Sequence, residues 1–161
     1  VWVLGRLPFV GERLLAQLAA EALQVRPSDD GRTYGQPGDV LSRLSVSRQL
    51  REAVSAAFGA RLVPTYEAVY QYQPPGSSVG PHRDTAGYDL TFHMTLEHAR
   101  PGNGSQGSVL EVHGPEGCNR FPLARADSLL FRGRELVHGW TPLADDEQRT
   151  LVAIGFQPAG H

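Results

Sequence analysis

Residues 66–84 read YEAVYQYQPPGSSVGPHRD. An alternating aromatic run gives way to a turn dense in Pro, Gly and Ser, and the chain resumes with His82-x-Asp84. Alternation of period two predicts a strand, and QPPGSS stops it. On an extended chain, side chains two residues apart point the same way, so one backbone segment presents an imidazole and a carboxylate together. The same texture continues outward. Short apolar or alternating runs at 90–96, 108–113, 119–123, 128–131, 135–140 and 149–156 are separated by RPGNGSQG, GPEG and PLADDE. About eight strands spaced by turns predict an antiparallel sandwich or jelly-roll barrel.

The first third reads as helix. Leu14, Leu15, Leu18, Ala19, Ala22 and Leu23 form an apolar stripe over 12–23, which needs a surface to cover. A second helix is predicted over 47–58, with Leu50, Val54 and Phe58 on one face, Ser45 or Ser47 as N-cap and Gly59 as the stop. Residues 26–39, rich in Ser, Asp, Gly and Pro, form a looser link. The expectation is one α+β, mainly β domain over 1–161. In it a helical support region, 1–63, packs on one sheet of a jelly-roll core, 64–157.

Composition removes several chemistries. All fifteen basic residues are Arg, which excludes lysine Schiff bases, P-loop nucleotide binding and lysine general bases. A formal charge of -2 and a pI near 6.3 offer no basic field for a polyanion, so nucleic acid is not an expected partner. Cys118 is the single cysteine; it can form neither an internal disulfide nor a Cys cluster, so a metal would be held by His and carboxylates. No run is long and apolar enough to span a bilayer, and a cytoplasmic location is the default expectation.

His82 and Asp84 need a third ligand from another strand, and His138 sits in the run 135–140. Two His and one carboxylate on one face of a metal leave the opposite face open, as non-haem Fe(II) requires to bind a co-substrate and oxygen. Alone, HxD equally describes a capped loop pair.

Taken in order, YEAVYQYQPPGSSVGPHRD, TFHMTL, GSVLEV, ADSLLFRGRELVHGWTPL and QRTLVAIGF resemble the prolyl-hydroxylase-like branch of the 2-oxoglutarate and Fe(II)-dependent dioxygenases. The match covers about 90 residues. The resemblance implies iron on His82, Asp84 and His138, with 2-oxoglutarate and O2 as co-substrates and ascorbate as an optional reductant. It implies that Arg149, eleven residues after His138, grips the distal carboxylate of 2-oxoglutarate through a guanidinium fork. The bland alternative for Arg149 is an ion pair with Asp145, Asp146 or Glu147. Tyr72 matches the tyrosine that reaches the co-substrate, and Tyr70, on the same face, is an alternative; either could instead be a core aromatic. Where the family often has Tyr-Leu, this chain has Thr95-Leu96, so any co-substrate contact there comes from the Thr95 hydroxyl. Gly107 stands where two glycines are usual. Asp84 occupies the position that family halogenases leave as Gly or Ala, which favours hydroxylation, or a related C–H oxidation such as desaturation or cyclisation.

The implied reaction couples oxidative decarboxylation of 2-oxoglutarate to oxidation of a small molecule or short peptide. The rival readings are a non-catalytic metal-binding jelly-roll module and a nucleic-acid demethylase of the same superfamily. His93, His98 and His113 could suggest a second metal site, but residues five apart on a strand face opposite ways, so His93 reads as a packed histidine or a substrate contact. Arg83 should point away from the metal, Trp140 should wall the pocket or fill core, and Cys118 shows no activation. Specificity is expected in the helical region, in residues 26–39 and 85–89, and in RPGNGSQG. The scarcity of Lys, Asn and Ile suggests a GC-rich genome and a bacterial specialised-metabolism enzyme.

Overall fold

The computed structural model describes residues 1–25, 34–102 and 107–160; parts of the 26–39 and RPGNGSQG segments lie outside the described residues. Ten strands and three helices are formed among them. The strands are β1 (Trp2–Arg6), β2 (Tyr34–Gly35), β3 (Leu62–Gln73), β4 (Val79–His82), β5 (Leu90–Ala99), β6 (Leu110–Gly114), β7 (Gly117–Phe121), β8 (Asp127–Phe131), β9 (Val137–Trp140) and β10 (Gln148–Pro158). The helices are α1 (Glu12–Val25), α2 (Asp39–Ser45) and α3 (Arg48–Phe58).

The strands make two antiparallel sheets, a larger one in the order β1-β8-β5-β10-β3-β2 and a smaller one in the order β4-β9-β6-β7. Strand parity divides the interior into two layers. Leu90, Phe92, Met94 and Leu96 of β5, with Val152 and Ile154 of β10, join Leu15, Leu18, Leu50 and Val54 of the helices in one core. Leu129, Phe131 and Leu151 meet Leu110, Val112 and Trp140 in a second core between the sheets. The helices therefore cover the outer face of the large sheet, and its inner face is left to the site.

Helix α3 starts as its sequence predicts: the Ser47 side chain accepts from Leu50 N, and Gly59 ends the helix at φ 83°. Three elements were not visible in the pattern. Strands β1 and β2 place the N-terminal region inside the large sheet as well as on it. Helix α2 has no side-chain cap at Gly38; Glu21 of α1 caps it instead, accepting from Val40 N at 2.7 Å and Leu41 N at 2.9 Å. Tyr70 donates to the same carboxylate at 2.6 Å.

Burial alone would raise the Glu21 pKa, but these donors outweigh it and hold it below its ordinary value. Its contribution to stability is therefore complete above the unfolded carboxyl pKa of about 4.3 and is lost as pH falls through the lower folded value. Glu21→Gln should lower stability by about 1–2 kcal/mol at neutral pH. Urea midpoints of the two proteins should converge as the buffer is taken below about pH 4.

Candidate metal centre and co-substrate chamber

Strand β4 pairs with β9 so that His82 lies directly opposite His138, with ring centroids 4.4 Å apart. Each imidazole is oriented from behind. His82 Nδ1 is 2.9 Å from Gly80 O and His138 Nδ1 is 3.0 Å from Leu136 O. A carbonyl can only accept, so each Nδ1 carries the proton and each Nε2 presents a lone pair. Asp84 lies two residues past the end of β4, pinned by its N–H donating to Gly133 O at 2.9 Å. Its Oδ1 is 3.6 Å from His82 Nε2 and 3.5 Å from His138 Nε2.

The three ligand atoms converge within 4.8 Å, too long for good hydrogen bonds and suited to a shared cation. The other carboxylate oxygen, Oδ2, accepts from the Thr91 hydroxyl. A side chain at Gly133 would strike both Asp84 Oδ2 and Thr91 Oγ1, so this glycine is required by the cradle. Burial pushes the Asp84 pKa up, but His138, His82 and Thr91 together hold it well below the carboxylate range. The Asp84 contact, against some opposing burial, raises that of His82.

The trio opens into a cavity of about 360 Å³ lined also by Val69, Gln71, His93, Trp140 and Ala153. Beyond it, the inner faces of β3, β5, β9 and β10 carry five buried polar atoms with no partner among the described residues: Gln73 Nε2, His93 Nδ1, Thr95 Oγ1, Trp140 Nε1 and Arg149 Nε. Each can donate a hydrogen bond, and buried donors are rarely left alone. His93 is driven neutral by burial, its pKa pushed down to about 3, and its ring stacks on Trp140 at 6.2 Å.

Arg149 is 2% exposed. Its Nη1 donates to Gln73 Oε1 at 3.1 Å and its Nη2 to Ser108 O at 2.7 Å. The guanidinium lies over the Trp140 ring at 3.9 Å, and Glu147 Oε1 is 3.6 Å from Nη2. Burial pushes its pKa down to about 10 against the pull of Glu147, so it stays charged at neutral pH. Both readings of Arg149 thus have a physical counterpart: a buried cation beside the chamber, and an ion pair with Glu147. The pair is buried, because Glu147 is 1% exposed and accepts from Ser108 N and Ala144 N.

Two expectations are corrected. Tyr72 does not reach the chamber: on β3 the even positions face the helices, and its hydroxyl donates to Ala22 O of α1. Tyr70 turns the same way, to Glu21. The inner positions of that strand are Glu67, Val69, Gln71 and Gln73. His93 and His98 do not face opposite ways either. A bulge in β5, where Leu151 pairs with Thr95 but Thr150 with Glu97, shifts the alternation by one. It brings His98 beside Arg149 and Glu147, with Nε2 2.5 Å from Glu147 Oε1. Thr95 does lie on the inner face, and Arg83 is exposed, its Nε donating to Glu135 O at 3.1 Å. Glu111, His113 and Cys118 also gather within 4.8 Å, on the β6–β7 hairpin, but Arg120 engages Glu111 at 3.2 Å and Cys118 is exposed.

No family model and no curated protein matches the chain. Solved structures do. An oxidoreductase of the 2OG-Fe(II) oxygenase family from Burkholderia pseudomallei aligns over 89% of this chain and 77% of its own, at 16% identity and TM-score 0.69. HygX from Streptomyces hygroscopicus, solved with nickel, 2-oxoglutarate and hygromycin B bound, aligns over 98% and 82%, at 16% identity and TM-score 0.71. A prolyl-4-hydroxylase from Pseudomonas putida aligns over 92% and 82%, at 19% identity and TM-score 0.61. The fold is therefore the jelly roll of the 2-oxoglutarate and Fe(II)-dependent oxygenases.

Proposed function

We propose that the chain is a non-haem Fe(II) oxygenase that couples oxidative decarboxylation of 2-oxoglutarate to hydroxylation, or a related C–H oxidation, of a small molecule. One observation carries this reading: two imidazoles and a carboxylate converge at the cavity wall, and behind them four donors with no partner among the described residues lead to a buried arginine whose Nε is likewise without one. A structural metal site would need the first part and not the second. The likeness to HygX, whose structure holds a metal, 2-oxoglutarate and a small molecule, supports the same assignment.

His82, Asp84 and His138 would hold Fe(II). When bound, the metal would supply oxygen activation, with 2-oxoglutarate as reductant. The chain's own residues select and place. Gly80 O and Leu136 O fix the imidazoles as acceptors toward the ion, and Thr91 and Gly133 set the carboxylate. Deeper in, Arg149 Nε, Gln73 Nε2, Thr95 Oγ1 and Trp140 Nε1 offer donors for an elongated dianion. Leu151, Phe131 and Trp140 keep this end of the chamber dry, where such bonds are strongest. Oxidation would then occur at the open side, toward the cavity mouth.

Anaerobic addition of Fe(II) and 2-oxoglutarate should produce a weak visible metal-to-ligand charge-transfer band, absent in His138→Ala. In air the wild type should form succinate. Equal bands or equal succinate in the variant would refute the assignment.

A further inference from the structure

The mouth of the cavity carries a charge that the proposed reaction does not use. Glu67 is the outermost of the inner-face positions of β3 and lines the cavity together with Tyr34 and Tyr88. Its place is built by the loop that follows the metal ligands. Thr65 Oγ1 donates to Gly87 O, docking that loop on β3. Gly87 has φ 97°, and a Cβ there would lie 2.6 Å from Glu67 Cγ. Only a glycine lets the Glu67 side chain lie across this loop toward the opening.

Among the described residues, Arg83 and Arg134 are engaged elsewhere. Arg83 donates Nε to Glu135 O, and Arg134 pairs with Asp89 at 2.9 Å. Among the described residues Glu67 forms no ion pair. Its field is felt at Tyr88, whose pKa is raised by burial first and then by the negative charges of Glu67 and Asp84. Gln71, deeper on the same strand face, donates to the Tyr34 hydroxyl at 3.4 Å, which ties that ring to the rim.

Resting on the oxygenase reading above, we propose that Glu67, flanked by Tyr34 and Tyr88, binds an ammonium group of the substrate, so that the oxidised small molecule is a cationic amine. A carboxylate meets the charge of an ammonium, and tyrosine rings add cation–π attraction without demanding one geometry. Glu67 and Gln73 are six residues apart on β3, roughly 20 Å at strand rise. The amine end would thus sit at the mouth while the co-substrate end of the chamber lies deep, with the metal trio on the wall between. An anionic substrate would meet, at the entrance, a carboxylate with which no described cation pairs.

The test uses 2-deoxystreptamine and its di-N-acetyl derivative as probes. These share a ring and hydroxyls but differ in charge. Binding is measured by ligand-observed NMR on the metal-free protein, where an amine cannot register by coordinating the metal. The charged probe should bind the wild type at least fivefold more tightly than the acetylated one, and Glu67→Gln should abolish that preference. Equal binding of both probes, or a preference that survives in Glu67→Gln, overturns the inference. Succinate formation is scored separately in the Fe(II)-loaded proteins. Absence of the amine preference with succinate intact defeats only this proposal, whereas a Glu67-dependent preference in a protein that never forms succinate defeats only the oxygenase reading.

Discussion

Asp84→Ala is expected to weaken Fe(II) binding by about two orders of magnitude or more and to abolish the charge-transfer band, with the far-UV spectrum little changed. Asp84 is the one anionic ligand of the trio, and the lone pairs of His82 and His138 converge on its Oδ1 at 3.6 and 3.5 Å. Two neutral imidazoles alone hold a hard divalent ion poorly. The half-buried side chain lies in a loop and carries none of the apolar core, which is why the loss should be one of metal and not of fold. Gly133→Ala makes a sharper companion. It keeps all three ligands, but its methyl would occupy the space of Asp84 Oδ2 and Thr91 Oγ1. Displacing the carboxylate should weaken Fe(II) about 10- to 100-fold, the range found when support behind a ligand is disturbed. Thr91→Val, which removes the donor without a collision, should fall at the lower end. Isothermal titration with Fe(II) under anaerobic conditions ranks the three variants. If Asp84→Ala bound the metal as tightly as the wild type, the trio would not be the metal centre.

The difference between what the chain spells out and what it hides follows from its sheets. His82, Asp84 and His138 are legible because a metal site needs particular side chains at particular offsets, and the register of β4 against β9 places His82 opposite His138. The strand runs are legible for the same reason of periodicity. Which face of a strand looks inward is not legible, because the large sheet is covered on both sides. Tyr70 and Tyr72 resemble a site-lining stripe, and Gln71 and Gln73 resemble a solvent face, yet the tyrosines bind the helices and the glutamines line the interior. The bulge in β5 is equally silent: nothing in TFHMTLEHA marks where the alternation slips, so His98 emerges beside Arg149 only in three dimensions. Glu147, within the charged turn PLADDE, looks solvated and is buried because it accepts from two backbone N–H groups and His98. Helix α2 spans two turns and is capped from another helix, so no local signal announces it.

Arg149→Gln should weaken 2-oxoglutarate about 10- to 100-fold, the worth of a charge-assisted hydrogen bond in a dry site, while Fe(II) affinity stays within a factor of a few. It should also lower stability by about 1–3 kcal/mol, because the buried Glu147 carboxylate, still hydrogen-bonded by Ser108 N, Ala144 N and His98, would lose its guanidinium. These two losses have different origins, and Glu147→Gln separates them. In the double variant the buried carboxylate charge is gone and the amide oxygen can still accept from Ser108 N, although its NH2 now faces the Ala144 N–H, so part of the lost stability should return. Affinity for 2-oxoglutarate should not return, since no cation faces the chamber. Urea titration reads the first quantity, and the strength of the charge-transfer band against 2-oxoglutarate concentration reads the second. Recovery of both together would make Arg149 a partner for Glu147 and nothing more. Recovery of stability alone would leave Arg149 in both roles, held by Gln73, Ser108 and Glu147 on one side and offering Nε to the co-substrate on the other.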